Sequence, residues 1–252
     1  MMSERPTWVL LRGLTRESRH WGGFPKVLGQ VVPGARVIAL DLPGNGTLHR
    51  ERSPTRVETM ASHCRDELQR RGVAPPYRVL AMSLGAMVAT AWAVAAPDEI
   101  AAAVLINTSL RPFNPFHQRL RPANYGTLLR LLLTRASAPD WERAVLAMTS
   151  RASDRDDAAL LRAWVAYRHA CPVAPANALR QLWAAARYLA PARNPFARVL
   201  LLASANDALV DVRCSQQLAR QWSCALRLHP WAGHDLPLDD APWVAAQLHG
   251  RV

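Results

Sequence analysis

A serine hydroxyl is a poor nucleophile until a base takes its proton and an acid orients that base. One serine lies in a suggestive setting, Ala81-Met82-Ser83-Leu84-Gly85, between the apolar run Tyr77–Ala81 and the apolar stretch Leu84–Ala96. Small residues two before and two after a serine are what a sharp strand-to-helix turn requires, because the two backbones approach too closely there for larger side chains. Such a turn lifts the hydroxyl above the carboxyl end of a sheet, where α/β folds place their sites. Asp207 follows the run Val199–Ala203 within Ser204-Ala205-Asn206-Asp207, and His234 follows Ala225–Leu228 within Trp231-Ala232-Gly233-His234-Asp235. All three candidates therefore fall at strand ends, in the chain order Ser, Asp, His.

Plainer readings compete with this one. Ser83 also suits an ordinary helix N-cap. Asp211 is a rival acid farther from the strand end, and Asp235 is expected to cap or bridge near the final loop. His20, in the loop Arg16-Glu17-Ser18-Arg19-His20-Trp21, is placed where it could touch a substrate. His229 sits within a strand pattern, whereas His49, His63, His117, His169 and His249 lack the strand-end context and read as surface or structural.

The elements that must position these residues alternate through the first half of the chain. Short apolar runs at Thr7–Leu11, Arg36–Leu40, Tyr77–Ala81 and Ala102–Ile106 read as strands, and Val57–Arg71 and Leu84–Ala96 as helices. Apolar strands separated by helices imply a mostly parallel α/β sheet flanked by helices. From Leu110 to about Pro195 strand character is lost. Eight prolines divide stretches of helical period at Tyr125–Leu133, Trp141–Met148, Ala158–His169 and Ala178–Leu189. Strands return at Val199–Ala203 and Ala225–Leu228, with helices near Arg213–Gln221 and Ala241–Leu248. The expected organisation is a core of residues 1–109 and 196–252 interrupted by a helical lid, residues 110–195, inserted after the fourth strand.

Composition narrows the function classes. The 252 residues are 50% hydrophobic and 20% charged, which excludes disordered, collagen-like and coiled-coil chains. The net charge of +12 is carried almost wholly by arginine, with Lys26 the only lysine. Arginines occur in every third of the chain and no run exceeds Arg70-Arg71, so dispersed surface charge is favoured over a nucleic-acid interface. Cys64, Cys171, Cys214 and Cys224 form no CxxC pair and no metal cluster with histidine, so no metal is expected. Met1–Leu11 has Glu4, Arg5 and Pro6 ahead of a short apolar run and does not read as a secretory leader. Ala86–Ala96 is too short to span a bilayer. A cytoplasmic chain with free thiols is the expectation.

Together these residues resemble the α/β-hydrolase superfamily, and within it the small cofactor-free carboxylesterases with a helical lid. The resemblance rests on Leu10-Leu11-Arg12-Gly13-Leu14, Asp41-Leu42-Pro43-Gly44-Asn45-Gly46, the serine turn, Asn206-Asp207-Ala208-Leu209-Val210 and Gly233-His234. It implies Ser83 as nucleophile, His234 as general base and then acid, and Asp207 as the orienting carboxylate. The backbone N–H groups of Leu14 and Leu84 would form the oxyanion hole. It further implies a small-molecule acyl substrate and no cofactor, with thioester or carbon–carbon cleavage of an anionic substrate, or a non-catalytic binding role, as alternatives. Two positions depart from the family pattern: Ala81 replaces the first glycine of the turn, and Arg12 stands where histidine is usual. Arg12 either pairs with an acid inside the protein or presents its charge to substrate. Phe113 and Phe116 are the lid aromatics expected to face the cleft.

Overall fold

Apolar runs of five to seven residues pair into a single parallel sheet in the computed structural model, which describes residues 5–134, 136–151 and 157–248. Its strands are β1 (Thr7–Leu11), β2 (Arg36–Leu40), β3 (Tyr77–Met82), β4 (Ile100–Ile106), β5 (Val199–Ser204) and β6 (Ala225–His229), in spatial order β2-β1-β3-β4-β5-β6. Alternation along each strand feeds two layers. Val9, Leu11, Val79 and Ala81 face one side of the sheet, and Trp8, Leu10, Leu80 and Met82 the other.

Helices cover both faces. The helices in chain order are α1 (Phe24–Val31), α2 (Val57–Arg70), α3 (Leu84–Ala95), α4 (Phe116–Arg119), α5 (Tyr125–Leu133), α6 (Ala138–Thr149), α7 (Asp157–Ala170), α8 (Pro175–Arg187), α9 (Arg213–Trp222), α10 (Leu236–Asp239) and α11 (Ala241–Leu248). The first face packs against α2, α3 and α9 through Met60, Cys64, Leu68, Val88, Trp92, Leu218 and Trp222. The second packs against α1 and α11 through Phe24, Leu28, Val244 and Leu248. Helix α1 falls where sequence periodicity suggests only a loop. Pro25 in its first turn presets the backbone, and Phe24 and Leu28, one turn apart, bury together on the sheet.

Register aligns the functional edge. Leu11 pairs with Ala81, Met82 with Ile106, Ile106 with Leu202, and Ser204 with His229, so the carboxyl ends of β1, β3, β4, β5 and β6 form one rim. Helices α4–α8 all lie between β4 and β5 in the chain. They are fastened to this rim by buried amides. Gln181 of α8 accepts from Thr15 N at 2.9 Å and donates to Asn45 Oδ1 at 2.8 Å, while Asn177 accepts from Ser53 N at 2.9 Å. Near the end of α6, Thr149 O accepts from Asp235 N at 2.7 Å.

Two glycines give opposite expectations. A Cβ on Gly85 would lie 2.4 Å from Leu11 O and 2.7 Å from Arg12 O, whereas one on Gly29, inside α1, meets nothing within 4 Å. Gly85→Ala is therefore expected to destabilise the fold by about 2–3 kcal/mol through overpacking. Gly29→Ala should stabilise it by about 0.5–1 kcal/mol by removing helix-opposing backbone freedom. Urea midpoints of the two variants check both signs.

Candidate active site

The turn after β3 sets the geometry. Ser83 has φ +53° and ψ −119°, a backbone conformation that side chains rarely adopt, and it leads directly into α3. Ser83 N continues the strand ladder by donating to Ile106 O at 3.0 Å, and Ala86 N donates to Ser83 O at 3.0 Å to begin the helix. From Val79 to Ala93 every residue except Ser83 is buried. Packing on both sides thus holds the strained residue while its side chain opens into a cavity. Gly85 permits the turn because α3 crosses directly over the end of β1. Ala81, at the other flank, pairs with Leu11 and Leu105 and is fully buried.

Ser83 stands at the junction of two chambers. The larger, of about 170 Å³, is also lined by His234, Gly13, Leu14, Leu128, Trp141, Val145, Met148 and Leu182. The smaller, of about 100 Å³, carries Leu14, Leu84, Met87, Phe116, Leu182 and Val210 beside Ser83. Apolar side chains form most of both walls, and the helices after β4 supply part of each, Leu128 and Trp141 in the larger and Phe116 in the smaller.

His234 and Asp207 meet directly. His234 Nδ1 lies 2.7 Å from Asp207 Oδ2, with both residues buried. The other carboxylate oxygen accepts from Leu209 N at 2.8 Å and Val210 N at 2.9 Å, so the acid is held by its own loop. That loop is braced in turn by Arg121, which donates to Asp207 O at 2.7 Å, and by Asn124, which donates to Ala208 O at 2.8 Å. Asp211, the rival acid, is committed to Arg213. Among the described residues no hydrogen bond joins Ser83 Oγ to His234; the two share the wall of the larger chamber.

Backbone donors border the serine. The N–H groups of Leu14 and Leu84 meet no acceptor among the described residues, and Leu84 begins α3, where the helix dipole concentrates positive potential. A Cβ on Gly13 would lie 3.1 Å from Ser83 Cβ, so the β1 loop passes against the serine itself.

The remaining predicted residues divide. Arg12 lines the larger chamber, but its guanidinium forms a two-point buried pair with Asp235, one contact at 3.0 Å, and lies 4.8 Å over the Trp21 ring. Asp235 thus bridges two loops at the rim. Phe116 lines the smaller chamber, while Phe113 turns away, its ring 6.5 Å from Trp222 in the core. Trp141 is the lid aromatic on the larger chamber. His20 does not border either chamber. It is buried against Trp164 and Tyr167, with Nε2 2.9 Å from Arg16 Nη1, because Asp41 accepts from Ser18 N at 2.7 Å and pulls that loop inward. His229 is buried at the end of β6 beside Asp240, and His249 lies outside the described residues.

Asn107 is a further residue of the site that motif reading overlooks. At φ +45° beyond β4, it donates to His234 O at 2.8 Å and Ser204 Oγ at 3.0 Å and accepts from Ser204 N at 2.9 Å. It therefore ties the histidine loop to β5. The available signal is an asparagine directly after an apolar strand, since asparagine tolerates left-handed backbone.

Burial, then the charges of Arg16 and Arg12, hold the His20 imidazole well below its ordinary pKa of 6.5. The fold thus keeps it neutral, while the unfolded chain takes up a proton near pH 6.5. Stability from this group is complete above that pH and is lost as pH falls below it, with a slope of about 1.4 kcal/mol per pH unit. His20→Phe should flatten the decline in urea midpoint between pH 6.5 and 5.5; an unchanged slope would remove His20 as its source.

The sequence of residues 6–241 matches the model of the alpha/beta hydrolase fold. No curated protein matches the chain. Similar solved structures include an enol-lactonase from Burkholderia xenovorans LB400, with 16% identity, TM-score 0.79 and coverage of 98% of this chain and 90% of that one. A hydrolase of 2-hydroxy-6-oxo-6-phenylhexa-2,4-dienoate from Rhodococcus sp. strain RHA1 has 18% identity, TM-score 0.76 and coverage of 99% and 92%. A thermophilic esterase from Thermogutta terrifontis has 19% identity, TM-score 0.74 and coverage of 96% and 88%. At such identities these likenesses concern the fold alone.

Proposed function

This chain belongs to the α/β-hydrolase fold family, and from that premise we propose that it is a serine hydrolase, a carboxylesterase for small or medium apolar acyl esters. The observation that carries the reading is the strained Ser83, opening on a cavity shared with His234, whose other ring nitrogen lies 2.7 Å from Asp207. Ser83 Oγ attacks the ester carbonyl as His234 Nε2 takes its proton, and Asp207 holds the imidazole in the required tautomer. The serine–histidine contact tightens in the reacting complex, as catalytic hydrogen bonds commonly do. Negative charge on the carbonyl oxygen is received by the N–H groups of Leu14 and Leu84, each such donor being worth about 10²–10³ in turnover. His234 then protonates the departing alcohol, and water cleaves the acyl-serine by the same route.

The chambers support the substrate class. Of the four arginines that the sequence suggests near the mouth, Arg12, Arg16 and Arg19 each hold a carboxylate (Asp235, Glu142 and Glu17 respectively), and Arg111 is exposed and borders neither chamber. Beside the paired Arg12, Arg16 and Asp235, what the cavity presents to an acyl chain is mainly leucine, valine, methionine and Trp141. This favours a neutral ester over an anionic thioester or carbon–carbon substrate. Helices α4–α8, as the lid, set the length that fits.

A panel of p-nitrophenyl esters of graded chain length, with acyl-CoA thioesters included, tests the proposal. Ester turnover is expected, and Ser83→Ala should lower kcat by at least ~10⁴-fold, with Asp207→Asn losing ~10³–10⁴. Retention of most activity by a Ser83→Ala protein with native circular dichroism would refute the assignment.

A further inference from the structure

Large apolar side chains stand in solvent on the helices that surround the cavity. Tyr125, Leu129 and Leu133 recur every fourth residue along α5 and so share one face, with Leu129 and Leu133 57% and 73% exposed. On α8, Leu179, Leu182 and Trp183 are likewise exposed, and the two leucines also line the larger chamber. Phe116 joins the two rows. Its ring lies 6.1 Å from that of Tyr125, and it shares the smaller chamber with Leu182. The patch therefore runs from α5 across α4 to α8 and borders the cavity that holds Ser83. Exposed apolar surface of this extent marks a place where a partner is met.

Charge selects the partner. The sequence contains no aspartate or glutamate from residue 110 to 139 or from 158 to 206, and these stretches supply α4, α5 and α8. Arg111, Arg130 and Arg187 are exposed there, and the Arg187 guanidinium lies 5.2 Å over the Trp183 ring. Asp140 of α6, the carboxylate beside Arg130, is already paired with Arg143 at 3.0 Å, so apposing two copies of the chain through this face would bring together more arginines than free carboxylates. A surface that is apolar and negatively charged at its boundary matches both features. We propose that this face docks on an anionic lipid surface, with Leu129, Leu133 and Trp183 entering the acyl boundary and the arginines meeting lipid phosphates. The cavity mouth then faces the lipid. Docking is independent of the chemistry at Ser83.

Co-sedimentation of the full chain with large unilamellar vesicles tests this directly. Binding is expected to vesicles of phosphatidylglycerol and phosphatidylcholine and to be at least about tenfold weaker to phosphatidylcholine alone. Leu129→Glu/Leu133→Glu and Arg130→Gln/Arg187→Gln should each weaken binding at least about tenfold, with circular dichroism and thermal unfolding unchanged. Ser83→Ala should bind as the parent does, which separates docking from hydrolysis. Absence of binding to either vesicle, or equal binding by the leucine double variant, would overturn the proposal. So would a stable dimer in light scattering that the same leucine substitutions dissolve, since a second copy would then own the face.

Discussion

Between the last residue of β3 and the first turn of α3 the backbone must reverse within a single residue, and the space for doing so is set by the end of β1. Leu11 O and Arg12 O lie where a Cβ on Gly85 would be, so only glycine lets α3 descend this far. The reversal forces Ser83 to a positive φ, a strain of about 1–3 kcal/mol that persists because the surrounding strand and helix are fully packed. Three consequences follow from that one constraint. The hydroxyl leaves the core, the Leu84 N–H is freed at a helix start, and the β1 loop at Gly13 is brought against the serine.

The other half of the site lies on loops, yet those loops are closely held. Asp207 spends one oxygen on its own turn and the other on His234. Asn107 clasps the His234 backbone to β5, and Asp235 joins the histidine loop to Arg12 on the β1 loop. Gly233 allows closer approach still: a Cβ there would lie 2.7 Å from Thr149 O at the end of α6. Helix α6 therefore touches the histidine loop as well as the cavity, so the segment between β4 and β5 helps to place the loop that it covers. Removing one partner of the buried Arg12–Asp235 pair would leave a charge without compensation, a loss that typically costs about 3–5 kcal/mol.

Much of this was legible from the amino-acid sequence, for identifiable reasons. Strands β1 and β2 match their apolar runs at both ends, and α5 and α11 match their periodic stretches, because burial of an apolar face dictates both. The lid helices α6 and α8 begin earlier than periodicity suggests, because their first turns, which contain Pro139 and Pro175, carry no apolar repeat: Ser137 caps α6, and α8 buries the polar Asn177. Helix α1 was hidden by its glycines and proline. The partner of Arg12 could not be read at all: Arg12 and Asp235 are separated by 223 positions, and nothing local in either announces the other. The same holds for the direction of side chains in irregular segments. Phe113 and Phe116 are three residues apart on opposite sides of a proline, and one enters the core while the other faces the chamber. His20 sits in a loop of the expected position, but Asp41 and Arg16 draw it inward.

Under the proposed function, the hydroxyl of Ser83 is chemically activated by its neighbours. Incubation with a fluorophosphonate probe, followed by intact-mass and peptide mapping, measures that activation without reference to any substrate. One adduct per chain is expected, on Ser83, formed at least ~10³-fold more slowly when His234 is replaced by alanine. Labelling that is absent, that maps to another residue, or that proceeds equally fast in the His234→Ala protein would contradict it.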